Sequence, residues 1–360
     1  MFSQWCIAVL AVTHFSLCAD PCQTPDGQNG DCKPITDCPP LVAVYNKRPL
    51  TSENANFLRT HNCGFQGSMP KVCCPLVSAT LGSTDLLPET CGHFTEPKIV
   101  GGEKTGIDEF PWMALLEYKR SNGSKYFNCG GALISKRYVL TAAHCINRIL
   151  TGVRLGEHDI TTERDCVKTE LGEDCAPPPI DIPVEDTVVH EGYVKDDTNQ
   201  YNDIALLRLA REVSVTDYVR PICLPTKDEE FSKSYVGEKL HVAGWGMTDN
   251  TKMSTSSVKL KVKLPVRESS YCENTFRRYN FKLTLKDIQL CAGGEKGKDS
   301  CKGDSGGPLM TVRLDKLKAI QWYAVGVVSF GAQPCAMENW GGVYTRVSKF
   351  VPWIKSKLRP

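Results

Sequence analysis

Hydrophobic and polar positions divide the chain into stretches of different texture. Residues 5–12 form an unbroken apolar run, followed by Thr13, His14 and Phe15 and by small residues near Cys18 and Ala19. The run is too short to span a bilayer and reads as the core of a signal peptide over residues 1–18. No Lys or Arg precedes it, so only the α-amine supplies the usual positive charge; a buried N-terminal segment is the alternative. Residues 22–74 show little apolar periodicity and are rich in Pro, Gly, Asn and Asp. From Ile99 onward the texture changes to short runs rich in Val, Ile, Leu and Tyr, separated by turn residues. Examples are residues 112–118, 131–140, 259–266 and 323–330. Runs of this length with frequent turn signals predict strands of an all-β sandwich or barrel. Beyond residue 99 only 347–358 predicts a helix, with apolar residues at Val347, Phe350, Val351 and Ile354. The uncharged stretch 319–337 is long enough to test as a membrane span. Gln321, Ser329, Gln333 and Pro334 interrupt it, and the alternation at 325–328 is that of a strand.

Composition sharpens this picture through cysteine. The chain of 360 residues has 18, a density that points to an oxidising compartment. Removing a signal peptide that contains Cys6 and Cys18 leaves an even number. Six of the remainder, Cys22, Cys32, Cys38, Cys63, Cys73 and Cys74, fall in the segment that lacks an apolar pattern. Such a segment cannot build a core from side chains alone, so three disulfides are expected to staple a mini-domain over residues 19–75. Zinc is the competing reading, disfavoured because no C-x-x-C pair occurs. Spacing leaves the pairing open. Pro75, Gly82, Ser83, Thr84 and Pro88 give residues 76–98 the chemistry of a linker. A net charge of +2 gives no reason to expect nucleic-acid binding or polybasic membrane attachment.

Three short motifs carry chemistry, in the order Thr-Ala-Ala-His-Cys ending at Cys145, Asn-Asp-Ile-Ala-Leu-Leu from Asn202, and Gly-Asp-Ser-Gly-Gly-Pro from Gly303. Hydrolysing an amide requires a nucleophile stronger than a free serine hydroxyl. An imidazole must take its proton, and a buried carboxylate must hold the imidazole tautomer. His144, Asp203 and Ser305 supply those three groups. Backbone N–H groups of Gly303 and Ser305 can converge on an oxyanion, each worth about 3–4 kcal/mol in the transition state. Singly, the first two motifs are compatible with a structural histidine and a turn; the third is specific alone.

With these motifs in that order, residues 99–360 resemble the trypsin/chymotrypsin-like serine proteases. The resemblance implies two six-stranded antiparallel β-barrels, a C-terminal helix, and an active site between the barrels. It places Asp299 at the floor of the primary specificity pocket, selecting Arg or Lys, with Ser300, Ser329, Gly331 and Gly342 in the substrate-binding set. Phe330 departs from the family pattern, which usually has Trp there. Lys98 before Ile99-Val100-Gly101-Gly102 resembles the family's activation junction, where cleavage frees the Ile99 amine to pair with Asp304. An activating protease that cuts after Lys98 is itself expected to be trypsin-like. The resemblance further implies Cys129–Cys145, Cys272–Cys291, Cys301–Cys335 and Cys91–Cys223, with Cys166 and Cys175 paired in an insertion. Glu157 matches the first ligand of the family's calcium loop, with Asp159, Thr162 and Asp165 as companions; a merely solvated acidic loop is the alternative. Asn122-Gly123-Ser124 is a glycosylation sequon.

The cysteine-rich segment, with its adjacent closing pair, resembles the clip domain of arthropod proteases. That family pairs Cys22–Cys73, Cys32–Cys63 and Cys38–Cys74. The two resemblances together imply a secreted haemolymph zymogen of a prophenoloxidase-activating or Toll-ligand-processing cascade. Its expected partners are protein zymogens, an upstream protease and serpin inhibitors. A digestive trypsin and a non-catalytic clip homologue are the other readings; Ser305 speaks against the second and the clip module against the first.

Overall fold

The computed structural model of the protein describes residues 20–25, 29–38, 41, 44–45, 52–67, 69–75, 86–93, 105–169, 172–249, 254–314 and 319–360. The expected signal peptide, Lys98, Ile99 and most of the expected linker lie outside these residues. The chain forms two compact units that divide between Thr84 and Asp85.

In the first unit, strands β1 (Asp20–Gln23), β2 (Asn29–Pro34), β3 (Asn62–Gln66) and β4 (Met69–Pro75) form an antiparallel sheet in the order β1-β2-β4-β3. Its buried apolar cluster is small, made of Ile35, Leu41 and Val72 with Cys38 and Cys74. Disulfides Cys22–Cys73, Cys32–Cys63 and Cys38–Cys74 cross it. Each such bridge typically contributes about 2–4 kcal/mol, much of what so small a core lacks. A helix at Ser52–Thr60 is invisible in the sequence pattern, because Phe57 and Leu58, which pack on this cluster, are adjacent rather than periodic.

The second unit holds the two expected six-stranded barrels. The first comprises β5 (Met113–Lys119), β6 (Lys125–Ser135), β7 (Tyr138–Thr141) and β8 (Leu150–Leu155). After a hairpin of β9 (Cys166–Thr169) and β10 (Gly172–Cys175), β11 (Ile180–Val189) and β12 (Ala205–Leu209) close it in the order β11-β12-β7-β6-β5-β8. The second begins with β13 (Lys239–Gly244). The hairpin β14 (Met247–Asp249) and β15 (Ser254–Thr255) intervenes before β16 (Leu260–Arg267), β17 (Gln289–Gly293), β18 (Pro308–Leu314), β19 (Ile320–Phe330) and β20 (Gly341–Arg346). Its order is β13-β16-β17-β20-β19-β18, again closed. Closure leaves no unpaired edge in either barrel. The run at 131–140 is two strands, broken by a turn at the polar pair Lys136 and Arg137. Phe110, Trp112, Met310 and Trp322 pack in one cluster that joins the barrels.

Two helical expectations are corrected. The Ser269–Arg278 segment is also a helix, although Ser, Cys, Asn and Thr give it weak propensity. Burial of Cys272, Thr275 and Phe276, with the Cys272–Cys291 bridge to β17, holds it. The C-terminal helix is a 3-10 turn at Val347–Phe350 followed by an α-helix at Val351–Lys357. Pro352 has no N–H to continue a ladder upstream, so it fits the first turn of the helix that follows. Residues 320–330 are strand, and among the described residues no helix is long and apolar enough to cross a membrane.

Candidate active site

Antiparallel pairing of β7 with β12 sets Thr141 opposite Ala205. That register brings the turn after β7 and the residues before β12 to one end of the barrel. His144 stands in the first, within a 3-10 turn at Ala143–Cys145, and Asp203 in the second. His144 Nδ1–H donates to Asp203 Oδ2 at 2.8 Å, and the His144 backbone N–H donates to Oδ1 at 2.9 Å. This tautomer leaves Nε2 as an acceptor facing away from the carboxylate. Asp203 is fully buried, so its oxygens need donors. Ser329 Oγ donates to Oδ2 at 2.5 Å, and Thr345 Oγ1 donates to the Asp203 carbonyl at 2.7 Å. The resemblance puts Ser329 with substrate-binding residues; its side chain serves Asp203, because a buried carboxylate takes the nearest hydroxyl.

Ser305 arrives from the other barrel, in the turn before β18. The Gly130 N–H of β6 donates to the Ser305 carbonyl at 2.8 Å. That carbonyl lies 3.6 Å from Cys145 Sγ, and His144 Nε2 lies 3.7 Å from the same sulfur. The serine turn and the imidazole therefore share the Cys129–Cys145 disulfide as a neighbour. Close approach requires glycine next to the serine, since a Cβ at Gly306 would sit 2.2 Å from Thr141 Oγ1. Among the described residues, the backbone N–H groups of Gly303 and Ser305 are not committed to other acceptors.

Asp304 points the other way, into the second barrel. Its Oδ1 accepts the Gly246 N–H and its Oδ2 the Cys301 N–H, at 2.9 Å each. Gly246 makes room for it: a Cβ there would lie 2.2 Å from Oδ2. Burial pushes the Asp304 carboxyl up to about 6, against the two N–H bonds, and no cation contributes. Asp299 has a similar environment. Its Oδ2 accepts the Ala336 N–H at 3.2 Å, while Oδ1 is buried with no partner among the described residues. Burial again pushes the carboxyl up to about 6. Ser300 Oγ and the Tyr344 hydroxyl hydrogen-bond at 2.8 Å beside it. A Cβ on Gly331 would stand 3.7 Å from the Gly342 Cα, so the two bare backbones lie side by side. Asp299, Asp304, Gly244, Gly246, His241 and Trp322 line a cavity of about 740 Å³.

The acidic loop gathers three of its four expected ligands. The His158 N–H donates to both Glu157 Oε1, at 2.9 Å, and Asp165 Oδ2, at 3.0 Å, and Thr162 Oγ1 donates to Asp165 Oδ1 at 2.6 Å. Glu157 and Asp165 are both buried, and burial, with Asp165 adding to it, pushes the Glu157 carboxyl up. Two buried carboxylates sharing one donor fit a hard cation. Asp159 joins them only through its backbone N–H, which donates to Asp165 at 3.2 Å. Its carboxylate caps its own turn through the Thr161 N–H and hydroxyl, because a free aspartate at a turn is satisfied locally. Arg154 pairs with Glu157, and the buried Lys259 ammonium donates to the Glu157 carbonyl at 3.4 Å, so part of the loop's charge is already balanced. Asn122 accepts from the Ser124 N–H and hydroxyl in an exposed turn between β5 and β6.

Sequence reasoning passed over Gly130, Thr345, Tyr344 and Lys259. Each lies on or beside a strand with no local motif, and only strand register reveals what it faces.

The trypsin family model matches residues 99–354, and that of the regulatory CLIP domain of proteinases matches residues 22–74. The chain belongs to the trypsin family of serine proteases, in the branch that carries a CLIP domain. Serine protease ea of Drosophila melanogaster is 42% identical over 359 residues, covering 94% of this chain and 90% of that protein. Phenoloxidase-activating factor 1 of Holotrichia diomphalia is 42% identical over 359 residues, covering 94% and 93%. The Spaetzle-processing enzyme of Drosophila melanogaster is 42% identical over 365 residues, covering 92% and 90%. The crystal structure of the Drosophila Grass clip serine protease of the Toll pathway matches with a TM-score of 0.67 at 36% identity, covering 94% of this chain and 96% of that one. Eight disulfides among the described residues are consistent with secretion.

Proposed function

We propose that the protein is the secreted zymogen of an endopeptidase that cuts protein substrates after Arg or Lys in an extracellular immune cascade of haemolymph. The observation that carries the specificity is the buried, unpartnered Asp299 Oδ1 at the end of a slot with bare glycine walls. A guanidinium or ammonium entering the slot supplies the missing partner. Relatives named for phenoloxidase activation, Spaetzle processing and melanization support the cascade reading. The substrates are then other zymogens or ligand precursors, and serpins are the expected inhibitors.

In this mechanism His144 Nε2 takes the Ser305 Oγ proton as that oxygen attacks the scissile carbonyl. The Asp203 carboxylate holds the imidazole and stabilises its charged form. Gly303 and Ser305 N–H groups receive the oxyanion, and the protonated His144 returns its proton to the leaving amine. Water then attacks the acyl-enzyme by the same route in reverse.

The uncut chain is inert in this scheme. Asp304 has N–H donors but, among the described residues, no cation, and the α-amine of Ile99 is the charge it lacks. Cleavage after Lys98 releases that amine, and its pairing with Asp304 orders the slot and the oxyanion donors. Lys98→Gln is expected to block activation by trypsin-like proteases. After cleavage, non-reducing gels should show one band and reducing gels two, because Cys91–Cys223 joins the pieces. Activity in uncut protein, or pieces that part without reductant, contradicts the scheme.

Calcium is proposed as a structural ion held by Glu157, Thr162 and Asp165, supplying charge that offsets the carboxylates' mutual repulsion. The internal cations Arg154 and Lys259 and the Cys166–Cys175 bridge keep its effect modest. Calcium should raise the melting temperature by a few degrees, magnesium less, and Glu157→Gln should remove the response. Identical melting curves in calcium and chelator leave the loop as merely acidic. Glycosylation at Asn122 is proposed on the exposure of its turn.

A further inference from the structure

Beyond Gly331 the surface changes character. The Phe330 ring, at the end of β19, lies 6.1 Å from Phe276 on the Ser269–Arg278 helix. Phe276 meets Trp340 at 5.1 Å and Phe281 at 6.3 Å, and Trp340 meets Tyr279 at 4.6 Å. This row of rings starts under cover beside the slot and ends in water. Tyr279 is 59% exposed and Phe281 62%. The same segment carries four exposed cations, Arg277, Arg278, Lys282 and Lys286. Among the described residues the first three enter no ion pair, and Lys286 Nζ sits 3.9 Å over the Tyr201 ring.

Two acids of this region, Glu273 and Asp197, keep their charge but are tied to backbone donors. Glu273 accepts the Leu285 N–H at 2.8 Å, and Asp197 accepts the Asn199 N–H at 3.0 Å within its own loop. The blander account is that Arg277 and Arg278 complement the negative end of the helix. It explains neither Lys282 nor two aromatic side chains left in water beside it. The patch is also anchored to the cleft. Tyr201, two residues before Asp203, donates its hydroxyl to the Thr284 carbonyl at 2.6 Å, and the Thr284 N–H donates to Asn199 Oδ1 at 2.9 Å. Gln289 Nε2 closes the junction on the Asn199 carbonyl at 2.7 Å.

We infer that this patch is an exosite that captures an acidic segment of the protein substrate on the acyl side of the cleaved bond; it rests on the endopeptidase reading above. Charge complementarity selects the occupant, since Arg pairs carboxylates with two parallel hydrogen bonds and exposed rings cover the aliphatic parts of such a segment. The residue held over Asp299 belongs to the acyl side, and Phe330, next to Gly331 in the chain, links the slot to the row of rings.

The test uses full-length protein cut after Lys98 and two peptides that share one Arg cleavage site. Upstream of that site one carries a block of Asp and Glu, the other the matching Asn and Gln. The acidic peptide should be cut with about tenfold higher kcat/KM at low salt, an advantage that shrinks as salt screens it. The double variant Arg277→Glu/Arg278→Glu and, separately, Tyr279→Ala/Phe281→Ala should erase most of the difference while leaving hydrolysis of a short Arg-amide unchanged. Equal rates for the two peptides, or an advantage that survives charge reversal, overturn the exosite. Binding of a labelled acidic peptide without a cleavage site to the Ser305→Ala protein reads the patch independently of catalysis. Failure to cut the short Arg-amide strikes the endopeptidase reading instead, and absence of that binding with the patch intact strikes the exosite.

Discussion

Replacing Ser305 with Ala is expected to lower kcat for Arg-ester or Arg-amide hydrolysis by roughly a millionfold while leaving folding and secretion intact. The size follows from the way the three groups act as a unit. Without the Ser305 hydroxyl, His144 has no proton to take, and the Asp203 network has nothing to support. Oxyanion donors and substrate binding remain, so a residue of catalysis above water should persist. The substitution removes one oxygen from a turn held by backbone contacts, chiefly the Gly130 N–H to the Ser305 carbonyl, so the melting temperature should barely move. The measurement is turnover by purified protein cut after Lys98, beside the wild type. Comparable rates in the two proteins would remove Ser305 from the chemistry.

Asp299→Ser should abolish the preference for Arg and Lys over Phe and Leu. A cation in the wild-type slot pairs with the buried Oδ1; in the variant it meets a hydroxyl and remains largely uncompensated. Leaving a buried charge unpaired costs about 3–5 kcal/mol, equivalent to a loss of about a thousandfold in kcat/KM for Arg substrates. Phe and Leu substrates lose no partner and should hold or gain. The ratio of the two rates is the readout, since a general folding defect lowers both. The variant should also be slightly more stable than the wild type near neutral pH. Burial raises the Asp299 carboxyl to about 6, above its unfolded value, so this group's contribution is complete at acid pH and declines as pH rises through 6. A variant that still favours Arg by the wild-type ratio shows that Asp299 does not line the slot.

Residue type and short-range order were enough to read the chemistry of this chain. A His, an Asp and a glycine-flanked Ser in three short motifs point to an acyl-transfer site, and it is the family resemblance that places Asp299 in the slot. Cysteine density and the absence of apolar periodicity in residues 22–74 likewise demand covalent staples, because no core can form there. Short β-rich runs broken by turn residues point to an all-β sandwich or barrel. These features depend on local composition, which the sequence carries directly.

What a buried polar group faces is decided elsewhere. Ser329 and Thr345 become donors to Asp203 only because β19 and β20 pass behind it, and the Asp159 carboxylate stays out of the acidic cluster because its own turn satisfies it first. The Ser269–Arg278 helix exists through a disulfide and the burial of Phe276 rather than through propensity, and its exposed end carries cations and rings that linear inspection treats as ordinary surface. The sequence by itself therefore pointed to serine-protease chemistry and to an oxidising compartment. Only the tertiary structure decided which side chains hold the reacting groups and which face meets a substrate, because hydrogen-bond partners and exposure are set by contacts between residues far apart in the chain.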